Sequence, residues 1–274
     1  VTTEIDREAA RGAATRIDGV GISFGAYRAV EDISLDVAAG EFLCLLGPSG
    51  CGKSTLLSAL AGFTRATAGT VSVDGRPVSG PSPERGMVFQ NSDALFDWLT
   101  VRQNVAFGPR MRGMSRAKQA ALADEYLGLV GLRKFADTFP DQLSGGMRQR
   151  VQIARVLANR PRIVLMDEPF GALDAQTRQV MQEEMDRIWR ESGCTVVFVT
   201  HDIGEAIILA DRIAVMTAGP AASIKNVYEV KLPRPRDETS PGAIALHQKL
   251  RQDIGQEVRT ALREQGLASG EEDG

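Results

Sequence analysis

Residues 47–54 read GPSGCGKS, a match to the pattern G-x-x-x-x-G-K-[ST]. The octapeptide follows an apolar run, FLCLL at 42–46, and precedes a helical pattern, TLLSAL at 55–60. Strand, glycine-rich loop and helix is the setting in which these letters form a phosphate-binding loop. Glycines let the backbone wrap an anion with no Cβ in the way. Successive amides and the helix N-terminus then point at the β- and γ-phosphates. Lys53 adds a mobile positive charge, and Ser54 offers a hydroxyl to Mg²⁺. The candidate cradle is Gly47, Pro48, Ser49, Gly50, Cys51, Gly52, Lys53 and Ser54, with Thr55 behind them.

The bulk numbers are those of an ordinary soluble globular chain. The 274 residues are 43% hydrophobic and 24% charged, enough for a substantial core. Lysine plus arginine number 32 against 35 acidic residues, a net charge of -3, which argues against a nucleic-acid partner held by a basic face. The three cysteines, Cys44, Cys51 and Cys194, are odd in number and scattered, as expected for a reducing compartment without a disulfide framework. No apolar run reaches the ~18 residues needed to span a bilayer. The polar N-terminal stretch lacks an apolar signal core. The expectation is a cytoplasmic chain unless something else holds it at a membrane.

Along the chain, residues 1–14 are expected to be disordered. Alternation predicts strands over 16–24 and 32–37, another at 70–73 closed by an Asp74-Gly75 turn, and a short buried one at 86–89. Residues 92–158 switch to helical spacing, with helices over 116–130 and from Gly145 to about Leu157. Strands return at 163–166, 195–199 and 213–216, with a helix over 175–192 stopped by Gly193. Near-continuous apolar strands alternating with helices imply a buried parallel sheet and an α/β fold. The domain reading is a core of 15–91 and 159–230, a helical insert of 92–158, and a tail of 231–274. In the tail, 232–236 (LPRPR) reads as an extended linker and Ser240-Pro241 as a helix start. Leu246, Leu250, Ile254, Val258 and Leu262 recur every four residues, a stripe for packing on the body or for a partner, and Gly266 is the expected stop.

A second set of residues completes the phosphate chemistry. The strand at 163–166 runs into Asp167-Glu168-Pro169. Asp167 at a strand tip suits Mg²⁺, and Glu168 is placed to orient or deprotonate an attacking water. His201 follows another strand and suits a hydrogen bond to the γ-phosphate. Gln90, at a further strand end, suits Mg²⁺ or the water. Residues 143–150, LSGGMRQR, form a Ser-Gly-Gly entry into a helix, a second anion-receptive terminus. One phosphate group does not need two such loops from one body. The economical solution is two copies head to tail, each completing the other's site.

These ordered motifs resemble the ATP-binding cassette ATPases, the nucleotide-binding subunits of ABC transporters, over about residues 16–230. GPSGCGKS is similar to Walker A, Gln90 to the Q-loop, LSGGMRQR to the signature and IVLMDEP at 163–169 to Walker B. Gly171-Ala172-Leu173-Asp174 resembles the D-loop and His201 the switch histidine. The resemblance implies a P-loop NTPase (RecA-like) core with a parallel sheet, an antiparallel β subdomain and a helical insert. It implies ATP and Mg²⁺, with Mg²⁺ near Ser54, Gln90 and Asp167. It also implies a sandwich dimer in which Ser144, Gly145 and Gly146 of one copy face the γ-phosphate on the other, with Asp174 beside them. Phe24 takes the position of the family's adenine-stacking aromatic, with Tyr27 as the alternative. Residues 97–108, 200–212 and 230–237 are similar to bacterial importers, the last to the nitrate/sulfonate/taurine group; 91–96 is slightly longer than in that group. Membrane permease subunits, and through them a substrate-binding protein, are the implied partners at the cytoplasmic face of the inner membrane. Trp98 and Phe96 are candidate permease anchors or ordinary core of the insert.

Overall fold

The computed structural model describes residues 12–90 and 94–264. Ten strands are β1 (Thr15–Phe24), β2 (Tyr27–Val37), β3 (Phe42–Leu46), β4 (Ala68–Val73), β5 (Arg76–Pro77), β6 (Arg85–Val88), β7 (Ile163–Asp167), β8 (Thr195–Thr200), β9 (Arg212–Met216) and β10 (Ile224–Glu229). The helices longer than one turn are α1 (Lys53–Ala61), α2 (Val101–Met111), α3 (Arg116–Leu129), α4 (Gly145–Leu157), α5 (Ala175–Ser192), α6 (Ile203–Leu209) and α7 (Pro241–Glu264). Two sheets form: a four-stranded one ordered β2-β1-β4-β5 and a six-stranded one ordered β10-β9-β3-β8-β7-β6. Every residue of β3, β7 and β8 is buried, which is why these strands read as unbroken apolar runs rather than alternating ones.

The described chain divides into two compact units. One holds residues 12–13, 38–41 and 81–197. In it β6 runs parallel to β7, with Arg85 opposite Ile163 and Val88 opposite Met166. Its helices start on side-chain caps. Thr100 forms a reciprocal capping box with Gln103 at α2, and Ser115, Ser144 and Asp174 accept backbone N–H groups at α3, α4 and α5. Gly193, at φ 64°, ends α5 in the left-handed conformation that only glycine adopts cheaply. Helices α2, α3 and α4 pack on one another through Val105, Ala123, Leu127, Val151 and Ile153, all buried.

The expected disorder over 1–14 gives way in the described part. Gly12 N–H donates to Gly193 O at 2.9 Å, Thr195 Oγ1 donates to Ala13 O at 2.8 Å, and Ala13 is fully buried. Residues 1–11, like 91–93 and the expected helix stop at Gly266, lie outside the described residues.

The other unit holds residues 14–37, 42–80 and 198–264. Here β1 pairs antiparallel with both β2 and β4, so the expected short strand at 32–37 is the second arm of a hairpin that begins at Tyr27. β3 and β9 run parallel, and β10, absent from the sequence reading, is an antiparallel edge on β9. The tail is pinned rather than extended through solvent. Arg236 Nη1 donates to the carbonyls of Ile207, Ile208 and Ala210, and Arg234 Nη2 to Leu209 O at 2.7 Å. Two guanidinium groups thus satisfy the last carbonyls of α6, where the helix dipole favours a cation. On α7, Leu250 is fully buried, whereas Val258 and Leu262 are both 38% exposed, so the stripe packs along its first half only. Among the described residues no helix is long and apolar enough to cross a membrane.

Candidate nucleotide site

The glycine-rich loop leaves the buried end of β3 and enters α1 at Lys53. Gly50 and Gly52 sit at φ 80° and 87°, the left-handed region, which turns their amides toward the inside of the loop. Gly52 has a second reason to lack a side chain: a Cβ there would lie 2.5 Å from Val30 Cγ1 and 3.0 Å from Ala29 O. Lys53 is buried, and its Nζ donates to Gly47 O and Pro48 O, both at 2.8 Å. The ammonium is thus parked on the loop's own carbonyls, on the concave side where phosphate oxygens would lie. Ser49, Gly50 and Ser54 are exposed, Thr55 is half-buried and Cys51 is buried. Burial pushes the Cys51 thiol up, with Lys53 opposing it, so this sulfur is a packing group and not a thiolate.

In the same unit His201 is exposed directly after β8. The residues on either side of it fix its position. Thr200 Oγ1 donates to Glu205 Oε2 at 2.7 Å, and the Asp202 side chain caps α6 by accepting from Gly204 and Glu205 N–H groups. Phe24 and Tyr27 are register partners across the β1–β2 turn and are 55% and 52% exposed. Both candidates for adenine stacking therefore stand at the tip of one hairpin.

The first unit assembles the rest. Asp167 is the last residue of β7 and is buried; Glu168 follows at φ 43°, a conformation that costs a non-glycine residue about 1–2 kcal/mol. Such an outlier next to a strand tip is a functional signal. Gln90 Nε2 donates to Glu168 Oε2 at 3.2 Å, so these two predicted residues meet directly. The Ser144-Gly145-Gly146 entry opens α4. Ser144 Oγ accepts from Met147 N–H at 3.3 Å, and a Cβ on Gly145 would meet nothing within 4 Å. A Cβ on Gly146 would lie 3.1 Å from Leu173 Cδ2, so the helix entry rests on the 171–174 turn. Asp174 caps α5, and the Thr177 backbone N–H that it accepts holds its carboxyl below the usual range. Neither Ser144 nor Asp174 takes part in the bond between Gln90 and Glu168.

The sequence reading missed two positioning residues. Gln152 Oε1 accepts from Phe89 N–H at 2.6 Å, and Gln149 Nε2 donates to Phe89 O at 3.2 Å. These buried glutamines, spaced i and i+3 on α4, hold the backbone immediately before Gln90. The signal was present: two uncharged polar residues on the same buried face as Val156 and Leu157. Phe96 lies in an aromatic cluster with Trp98 and Phe107, under the Arg155 guanidinium, while Trp98 itself is 73% exposed. Among the described residues no group of three or more His, Cys, Asp or Glu side chains is disposed to hold a metal ion by itself.

A family model described as ABC transporter matches residues 30–171. The chain is 49% identical over 226 residues to the nitrate import ATP-binding protein NrtD of Synechococcus elongatus, covering 80% of this chain and 82% of that protein. It is 50% identical over 212 residues to the bicarbonate transport ATP-binding protein CmpC of the same organism, covering 77% of this chain and 32% of that one. Among solved structures it resembles the dimeric post-hydrolysis state of the ATP-binding cassette MJ0796 bound to ADP and Pi. That match has a TM-score of 0.70 and 32% identity, and covers 79% of this chain and 99% of that chain.

Proposed function

The chain belongs to the ABC transporter family as an ATP-binding, ATP-hydrolysing subunit, and from that premise we propose that it energises import of a small inorganic oxyanion of the nitrate or bicarbonate kind. The observation that carries the substrate class is the 49% identity to a nitrate import ATPase across four-fifths of both chains, with a bicarbonate transport ATPase at 50% beside it.

In this reading two copies close head to tail. ATP lies between the glycine-rich loop of one copy and Ser144, Gly145 and Gly146 of the other, with its adenine on Phe24 or Tyr27. Lys53 exchanges its loop carbonyls for β- and γ-phosphate oxygens. The hydroxyl of Ser54, the amide oxygen of Gln90 and the carboxylate of Asp167 are hard oxygen donors of the kind that suits Mg²⁺. When bound there, Mg²⁺ supplies neutralisation of charge on the triphosphate. Glu168 takes the proton of the attacking water as the terminal P–O bond breaks, and His201 holds that water in line. ADP and phosphate leave two like-charged products in one seam, and the copies part. A membrane permease pair reads that motion through the exposed face around Trp98, at the cytoplasmic side of the membrane, and a substrate-binding protein delivers the cargo. Domain roles follow: 92–158 is the moving helical insert, 15–91 with 159–230 the catalytic core, and 231–274 an accessory tail.

The test is transport. The chain co-purified with its permease and placed in proteoliposomes should take up labelled nitrate or bicarbonate only with ATP and a loaded binding protein. ATP-dependent uptake of a sugar or amino acid, with neither anion carried, would overturn the substrate class and leave the ATPase assignment standing.

A further inference from the structure

A cavity of about 180 Å³ lies wholly within the first unit, and none of its lining residues belongs to the phosphate loop or the other motifs. By the same measure one water needs only ~10–15 Å³, so the space admits a polyatomic guest. Four cationic side chains line it, Arg112, Lys118, Arg160 and Arg162, against one carboxylate, Glu84. In a chain of net charge -3 this is a local excess of positive charge. The floor is apolar and includes buried Leu122.

The four cations come from separate segments and are held in place by the backbone. Arg112 caps the end of α2, and its Nη1 donates to Asn159 O at 2.7 Å. Arg160 sits at φ 47°, a left-handed position that turns it out of the path α4 would have followed. Its Nη2 stands 3.9 Å from Glu125 Oε2, a loose pairing that leaves donor directions over. Arg162 donates its backbone N–H to Glu84 O at 2.9 Å, which seats it beside the strand β6. Three guanidinium groups carry planar forks that match oxyanions bidentately and stay charged at any physiological pH. One lining carboxylate against four cations leaves the wall of the cavity net positive.

We propose that this cavity binds a small oxyanion of two or more oxygens, as a site separate from the nucleotide loop. A bound anion would tie the end of α2 and the start of α3 to the residues that follow α4. The proposal does not depend on what the transporter carries. A cargo anion and free phosphate share the required chemistry, and the experiment separates them.

The test is titration calorimetry on the full chain saturated with ADP, so that the phosphate loop is already filled. Nitrate, bicarbonate, inorganic phosphate and chloride are compared at fixed ionic strength. At least one oxyanion should bind one-to-one, with chloride at least about tenfold weaker because it cannot bridge two forks. Lys118→Gln should weaken that binding about tenfold, the effect of losing one charge-assisted contact. Glu84→Gln should tighten it by a factor of about three by removing the opposing charge. The two variants move in opposite directions, so poor folding of one does not mimic the result. No oxyanion binding to the ADP-saturated chain, or identical affinities in wild type and both variants, would overturn the proposal.

Discussion

The phosphate loop makes a quantitative prediction that separates two reasons for glycine. Gly50 and Gly52 have nearly the same left-handed φ, 80° and 87°. An alanine in that region costs about 1–2 kcal/mol in backbone energy, offset by about 0.4–1 kcal/mol from the stiffer unfolded chain. At Gly50 nothing lies within 4 Å of the new Cβ, so the net cost of Gly50→Ala stays within roughly 0–1.5 kcal/mol. At Gly52 the Cβ meets Val30 Cγ1 at 2.5 Å and the Ala29 carbonyl at 3.0 Å. The carbonyl is backbone of β2 and gives way only if that strand moves, which adds about 1–3 kcal/mol of overpacking. Gly52→Ala should therefore cost roughly 1–4.5 kcal/mol in all. Thermal unfolding without nucleotide reads the difference directly. At about 2–4 °C per kcal/mol, Gly52→Ala should melt roughly 2–12 °C below Gly50→Ala. Equal melting temperatures for the two variants would refute the packing argument and leave only the shared φ.

Three further outcomes follow from the geometry. Gln152→Leu removes the acceptor of the Phe89 N–H and should cost about 1–3 kcal/mol if that amide stays unpaired; kcat for ATP should fall while ATP affinity holds, and an unchanged kcat would remove Gln152 from positioning Gln90. Of Phe24→Ala and Tyr27→Ala, one should weaken ATP binding by about 1–3 kcal/mol as measured by calorimetry, and no loss in either would eliminate stacking at this hairpin. The third concerns α7. Burial works against ionising Asp253, but hydrogen bonds from Tyr228 and Asn226 and the Lys225 ammonium outweigh it and lower its pKa, while burial and the bond to Asp253 raise Tyr228 to about 12. A lowered carboxyl stabilises above its unfolded pKa and loses that stabilisation as pH falls through the folded one. A raised phenol stabilises below its unfolded pKa of about 10 and loses that stabilisation as pH rises through about 12. The melting-temperature advantage of wild type over Asp253→Asn should vanish in acid, and over Tyr228→Phe in strong alkali; a pH-independent advantage in either pair would contradict the assignment.

Much of this fold was legible in the sequence because burial on both faces leaves an unmistakable trace. The strands at 42–46, 163–167 and 195–200 are unbroken apolar runs, and the helix at 175–192 has an aspartate before it and a glycine after it. The elements that stayed hidden are held by polar contacts. Strand β10 (IKNVYE) carries Lys225, Asn226 and Tyr228, all bonded to α7 residues, so its sequence has no clean alternation. Arg234 and Arg236 read as linker charges because nothing local shows that the carbonyl ends of α6 await them. Of the site, the motif residues were legible, but the 3.2 Å bond from Gln90 to Glu168 and the two glutamines behind it link segments more than fifty residues apart.

Two copies enclosing each ATP, with Glu168 as the group that starts hydrolysis, are the centre of the proposed mechanism. Sedimentation of Glu168→Gln with Mg-ATP, alongside nucleotide quantification of the same peak, tests both at once. The expected result is a stable dimer holding two intact ATP molecules, dispersed to monomers when Ser144→Arg is added. A monomer saturated with ATP, or a dimer that converts its ATP to ADP at the wild-type rate, would contradict it.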